Sequence, residues 1–198
     1  MSIVIVGLGN PGKEYEKTRH NAGREAVMLL AKQEGFPEFV WNKTANALVA
    51  EGKIGTTKAT LVLPETMMNL SGKAVTRFVK SVKAAKELLV VRDDLDLPLG
   101  ATKMTFARGA GGHKGVESIM RAIKTEAFAQ LKLGISGVGK QHQAKKVHGE
   151  EKVLKLVIGK WKPAEAAAVK KMQKKAAEAA RLFAADGIHA ATMFANTR

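Results

Sequence analysis

The chain has 198 residues, with 33 Lys+Arg against 18 Asp+Glu and a formal charge of +15. At 45% hydrophobic and 26% charged residues it has the material for a sizeable core, which excludes a disordered or collagen-like chain. It contains no cysteine, so disulfide frameworks, thiolate nucleophiles and Cys-ligated zinc or iron–sulfur centres are excluded as well.

Ile3 to Val6 is a short β-branched run without polar alternation, the pattern of a strand buried on both faces. It runs into Gly7-Leu8-Gly9-Asn10-Pro11-Gly12, a loop by composition, and a helix follows over Ala22 to Gln33, stopped by Gly35. Ala47 to Ala50 and Ala59 to Leu63 read as an antiparallel hairpin turning through Gly52 to Thr57 and ended by Pro64. A helix over Ser71 to Val82, with Ser71 as N-cap, comes next. Leu88 to Val91 is a second buried strand leading into Asp93-Asp94-Leu95-Asp96, and Met104 to Phe106 fits a further strand. After the Gly-rich loop Ala107 to Gly115 come a helix over Val116 to Ile123 and a strand over Leu131 to Ile135. Ser136 to Gln143 reads as a loop, and Val153 to Ile158 fits either a strand or a short helix. Pro163 opens a long helix to about Ala185, with an apolar face of Ala166, Ala167, Ala177 and Ala180, and Gly187 stops it before a short terminal helix. The alternation predicts an α/β fold: one domain over residues 1–198, a mixed twisted sheet with helices on both faces.

No stretch approaches the ~20 apolar residues of a membrane span, and Ile3 to Val6 is too short for a signal peptide, so a soluble cytoplasmic protein is expected. A basic excess of this size points to nucleic acid first and to an anionic membrane surface second. Over half of it, twelve Lys+Arg against four Asp+Glu, lies between Lys140 and Arg181.

Gly7-x-Gly9-x-x-Gly12 matches the dinucleotide-binding expression. The residues after it, Lys13 to His20, offer no apolar helix face, and Glu34 closes a helix where the fingerprint needs an acid ending a strand, so NAD and FAD are rejected. The loop Gly109 to Gly115 lacks the Gly-Lys-Ser/Thr ending of a P-loop, which argues against nucleotide hydrolysis. Asp93, Asp94 and Asp96 have metal-binding chemistry, but a hard cation gathers more oxygens than these and so basic a chain has no other acidic cluster, so no metal is expected. Asn10 and His20 follow the first strand and Asp93 ends the second buried one, at the strand ends where open α/β sheets place ligands. A carboxylate that fixes an imidazole tautomer, leaving the other nitrogen to take a proton from water, would make His20 and Asp93 a water-activating dyad. Taken alone, the same residues also fit a turn at Asp93 to Asp96 and an ordinary loop histidine.

The motifs together decide between these. Gly7 to Gly12 with Tyr15 and Thr18-Arg19-His20-Asn21, Pro64-Glu65-Thr66-Met67-Met68-Asn69-Leu70-Ser71-Gly72, Asp93 to Gly100, Gly111-Gly112-His113-Lys114-Gly115 and Leu131 to Ile135 stand in the order found in bacterial peptidyl-tRNA hydrolases, which the chain resembles over nearly its full length. The resemblance implies a monomeric cytoplasmic esterase that cleaves the bond between a peptide and the 3′ ribose of tRNA without metal or cofactor. By position it implies His20 as general base and Asp93 as its orienting carboxylate, with Asn10, Tyr15, Met68, Asn69, His113 and Lys114 at the substrate. Two positions depart from the family. Lys114 stands where an Asn is usual, and the basic pair that grips the tRNA 5′ phosphate aligns with Thr105 and Lys132, so Lys103 and Arg108 become candidates to replace the first member. A non-catalytic RNA-binding relative is the alternative, since a basic surface holds phosphate whether or not the dyad works.

Overall fold

The computed structural model describes residues 2–197, the side chain of Lys140 excepted. Its strands are β1 (Ser2–Gly7), β2 (Val40–Asn42), β3 (Ala47–Ile54), β4 (Thr57–Pro64), β5 (Leu88–Pro98), β6 (Thr102–Phe106) and β7 (Ala129–Ser136). Its helices are α1 (Ala22–Gln33), α2 (Ser71–Val75), α3 (Val82–Ala85), α4 (Lys114–Ile123), α5 (Glu150–Val157) and α6 (Ala166–Ala195). All seven strands form one mixed sheet in the order β2-β3-β4-β1-β5-β7-β6. The centre, β4-β1-β5-β7, is parallel, while β2, β3 and β6 add antiparallel edges.

Strand alternation sorts the β-branched runs onto two cores. Ile3, Ile5, Leu89 and Val91 pack with α1 and α6, whereas Val4, Val6, Leu88 and Val90 pack with α2, α3 and α4. From Ile3 on, β1 is buried on both faces, as is the start of β5, which is why both read as unbroken apolar runs. Among the described residues no helix is long and apolar enough to cross a membrane.

Several sequence expectations are corrected. The helix expected over Ser71 to Val82 is two short ones, α2 and α3, and Ser71 does not cap it: its hydroxyl donates to Met68 O at 2.9 Å, while Ser81 Oγ caps α3 by accepting from Ala84 N. The apolar spacing carried across the break because Phe78 and Val79 pack on the α4-side core from the connecting turns. Asp93 to Asp96 is not a turn but the continuation of β5, paired to β7 through Asp94 and, after a register shift, at Pro98. Val153 to Val157 is helical, within α5. In α6, Ala166 and Ala167 are exposed, and the buried face is built by Val169, Met172 and Ala176 onward; Gly187, at φ 86°, breaks the helix where its sequence predicts. Strand β2, short and flanked by turns, had no sequence signal.

The start of α1 sits tightly on β5. A Cβ on Gly23 would lie 2.1 Å from Val91 O, so only glycine permits this approach, which brings the residues before α1 to the strand ends. Gly23→Ala is expected to destabilise the protein by about 1–3 kcal/mol, read as a lower midpoint in chemical denaturation. An unchanged midpoint would mean that α1 is free to shift.

Candidate active site

The strand ends assemble a cleft of about 430 Å³. Asn10, in the loop after β1, is buried and clamped by Asn21: Asn10 N donates to Asn21 Oδ1 at 2.9 Å, and Asn21 Nδ2 donates to Asn10 O at 3.0 Å. Met68 N donates to Asn10 Oδ1 at 2.8 Å, which leaves Nδ2 as the group Asn10 can offer a ligand. The same clamp fixes the single turn Arg19–Asn21 that carries His20. Arg19 anchors the turn from the other side, its Nη2 donating to both Glu165 carboxylate oxygens at 2.7 and 3.0 Å and its guanidinium stacked 4.6 Å over Trp161.

Three side chains from distant parts of the chain converge. His20 Nδ1 lies 2.9 Å from Asp93 Oδ1, and His113 Nε2 lies 2.9 Å from the same oxygen. His113 caps α4: its Nδ1 accepts from Gly115 N at 3.2 Å and Val116 N at 3.4 Å. That nitrogen is therefore unprotonated, the ring's proton is on Nε2, and Nε2 donates to Asp93. Asp93 thus receives a donor from each histidine, and His20, held through Nδ1, keeps Nε2 for another proton.

The electrostatics follow from burial opposed by pairing. Burial alone would raise the Asp93 pKa, but the two histidines and their hydrogen bonds outweigh it and hold the carboxyl well below the usual range, so it is ionised. His113 is buried; burial is the largest influence and pushes its pKa down, with His20 and Arg92 adding to that, so it is neutral. For His20 burial also acts downward, yet the charge and hydrogen bond of Asp93 together prevail and raise its pKa above 6.5, while the Lys114 charge works against them.

Met68 is buried in the cleft wall and Asn69 stands exposed at its edge. Lys114, at the first turn of α4, is exposed and reaches Glu150 Oε1 across the mouth at 3.5 Å. Tyr15 is not among the residues that line the cleft, and its carbonyl accepts from Thr18 Oγ1 at 2.7 Å. His113 lines the cleft with both ring nitrogens engaged, Nε2 with Asp93 and Nδ1 with the start of α4. Lys103 and Lys132 face one another across β6 and β7, with Arg108 exposed just beyond β6. Lys132 lies 3.5 Å from Asp94, and burial and the neighbouring Arg92 charge lower its pKa. Sequence reasoning missed Arg92 and the wall formed by Val153, Leu154, Val157 and Ile158, because α5 shows its apolar side only once the segment is known to be helical.

His20, Asp93 and His113 present ligand atoms within 4.8 Å of one another, a set that could face a metal ion. The donors are spent on each other, however, and His113 would have to release either its α4 cap or Asp93 to bind one.

The electrostatics give one directional test. Lys114 lowers the His20 pKa, so Lys114→Asn is expected to move the acid limb of the pH–activity profile to higher pH. The movement should shrink as salt screens this exposed charge. No movement at low ionic strength would show that the ammonium points away from His20.

The family model for peptidyl-tRNA hydrolase matches residues 4–198. A peptidyl-tRNA hydrolase of Aquifex aeolicus is 40% identical over 178 residues, covering 87% of this chain and 85% of its own, and one of Chloroflexus aggregans is 35% identical over 190 residues, covering 95% of both. A crystal structure of peptidyl-tRNA hydrolase from Acinetobacter baumannii superimposes with a TM-score of 0.87 at 31% identity, over 98% of this chain and 94% of that one. With a family match over residues 4–198, relatives of 35–40% identity over most of their length and a shared architecture, this chain belongs to the peptidyl-tRNA hydrolase family.

Proposed function

We propose that this protein hydrolyses the ester joining a peptide to the 3′ ribose of tRNA, with His20 as general base and Asp93 holding it in the required tautomer. The observation that carries the reading is the His20 Nδ1 to Asp93 contact at 2.9 Å in the wall of the cleft, which leaves Nε2 to accept a proton. Water gives that proton to Nε2 as its oxygen adds to the ester carbonyl, and Asp93 stabilises the imidazolium that forms. The tetrahedral intermediate collapses by breaking the bond to the ribose oxygen, which takes the proton back from His20. The products are a peptide carboxylic acid, ionised at neutral pH, and free tRNA.

Asn10 Nδ2 and the Asn69 amide suit a peptide backbone read without regard to side chain, and the Met68 thioether packs on varied groups. Lys114 at the mouth supplies positive charge toward the developing oxyanion. The protein acts as a cytoplasmic monomer in this reading, which rests on its family.

Release of free tRNA from an N-blocked aminoacyl-tRNA, run with and without chelator, tests the reaction. Turnover insensitive to chelator is the expected result. Binding without turnover would favour the non-catalytic RNA-binding alternative, which the assembled dyad speaks against.

Phosphate contact is proposed for Lys103, Arg108 and Lys132. The first and last lie on the sheet face opposite α6, because Met104 and Leu131, their neighbours in sequence, pack into the α6-side core. Lys103→Glu with Arg108→Glu should weaken tRNA binding and lower the log–log salt slope by about 1 for each phosphate no longer neutralised. Lys170→Glu with Lys171→Glu on α6 should leave the slope as it was, and the reverse pattern would place the tRNA on the α6 face.

A further inference from the structure

We propose that Arg92 is a positioning residue of this site: its guanidinium ties the strand end carrying Asp93 to the glycine loop carrying His113, so that both histidines meet one carboxylate oxygen. The inference rests on the His20–Asp93 reading above. Arg92 is 2% exposed and lies against the cleft. Its Nη1 donates to Asp93 O at 2.9 Å and lies 2.9 Å from Asp94 Oδ2, while its Nη2 donates to Gln130 Oε1 at 3.4 Å. Gln130, wholly buried on β7, passes the restraint on, since its Nε2 donates to the carbonyls of Arg108 and Gly109.

The loop needs that restraint. Ala110 packs into the α4-side core, but a Cβ on Gly109 or Gly112 would meet nothing within 4 Å, so the loop is open on that side at both positions. The loop is pinned at its start by Ala107 N to Phe128 O at 3.1 Å and before its end by His113 N to Ala110 O at 3.1 Å. Between these, Gln130 fixes residues 108 and 109, and Arg92 fixes Gln130. The Arg92 Nε is buried and has no hydrogen-bond partner among the described residues. The two Nη atoms are the ones that reach Asp93 and Gln130. The fork geometry, not charge alone, makes this connection, and lysine cannot reproduce it.

A shift of about 1 Å in the catalytic groups can cost on the order of 100-fold in rate, so the expected effect is on kcat. Arg92→Lys should lower kcat roughly 10- to 100-fold with KM within about twofold, and move the acid limb of kcat/KM to lower pH as His20 loses Asp93. The substitution keeps the charge, so a moved limb reports geometry, which a purely structural role would leave alone. Gln130→Met cuts only the arm to the loop and should lower kcat in the same manner. Combined with Arg92→Lys, it should add little, because the two residues act in series.

Wild-type kcat in a folded Arg92→Lys variant, or kcat losses that multiply in the double variant, would overturn the proposal. Should Arg92→Lys not fold, Gln130→Met decides alone, and wild-type turnover in it is the overturning result. An inactive wild-type protein, or an active His20→Ala variant, would instead count against the reaction or the dyad.

Discussion

His20→Ala is expected to lower kcat by about 10²–10⁴-fold while tRNA affinity stays within about twofold of wild type. The loss should fall on the chemical step because, in the proposed mechanism, Nε2 takes the proton of water once Nδ1 is committed to Asp93. Affinity is expected to survive because in the proposed reading phosphate contacts supply most of it. The wild-type pH profile belongs to the same prediction. The base works only when deprotonated, and Asp93 raises its pKa, so kcat/KM should fall with decreasing pH along a limb lying above 6.5. The limb should vanish from whatever residual activity His20→Ala retains. Turnover near the wild-type rate in that variant would sink the assignment of His20 as base.

Asp93→Asn should cost about as much, roughly 10³–10⁴-fold in kcat, through charge more than shape. An amide oxygen can still accept a hydrogen bond, but it cannot stabilise the imidazolium that His20 becomes. The carboxylate is 2% exposed and held ionised by two histidines, so little solvent screens its effect on them. Its removal also takes away the main influence raising the His20 pKa, so the acid limb of the residual activity should move to lower pH. Lys114→Asn is expected to move the same limb the other way, and the opposed pair checks the electrostatic account independently of the rates. A limb that moves upward in Asp93→Asn would mean that the carboxylate does not act on His20 by its charge.

Local pattern and tertiary contact contributed different things to this protein. β1, the start of β5 and β7 were legible because unbroken β-branched and aliphatic runs have no other stable home than a strand covered on both faces. The Gly187 break was legible too, because Gly187 is at positive φ, where glycine carries no Cβ penalty. The family was legible in motifs lying on loops at strand ends. Where the reading failed, a local signal had two outcomes and a distant contact chose between them. Asp93 to Asp96 has turn composition, but pairing with β7 keeps it extended, and Val153 to Val157 has apolar spacing short enough for either strand or helix. The split between α2 and α3 was hidden because Phe78 and Val79 pack on the same core as the helices beside them. The site itself lay furthest from local information. His20 and Asp93 are 73 residues apart and His113 a further 20, and no period in the sequence encodes a shared carboxylate oxygen. Only the folded chain sets the tautomer of His113, through backbone N–H groups at the start of α4, and only the pairing of β5 with β7 puts Arg92 beside Gln130. Sequence alone determined which residue types stood at the strand ends; the tertiary structure decided which atoms meet, because a hydrogen bond depends on position within a few tenths of an ångström and a hydrophobic pattern does not.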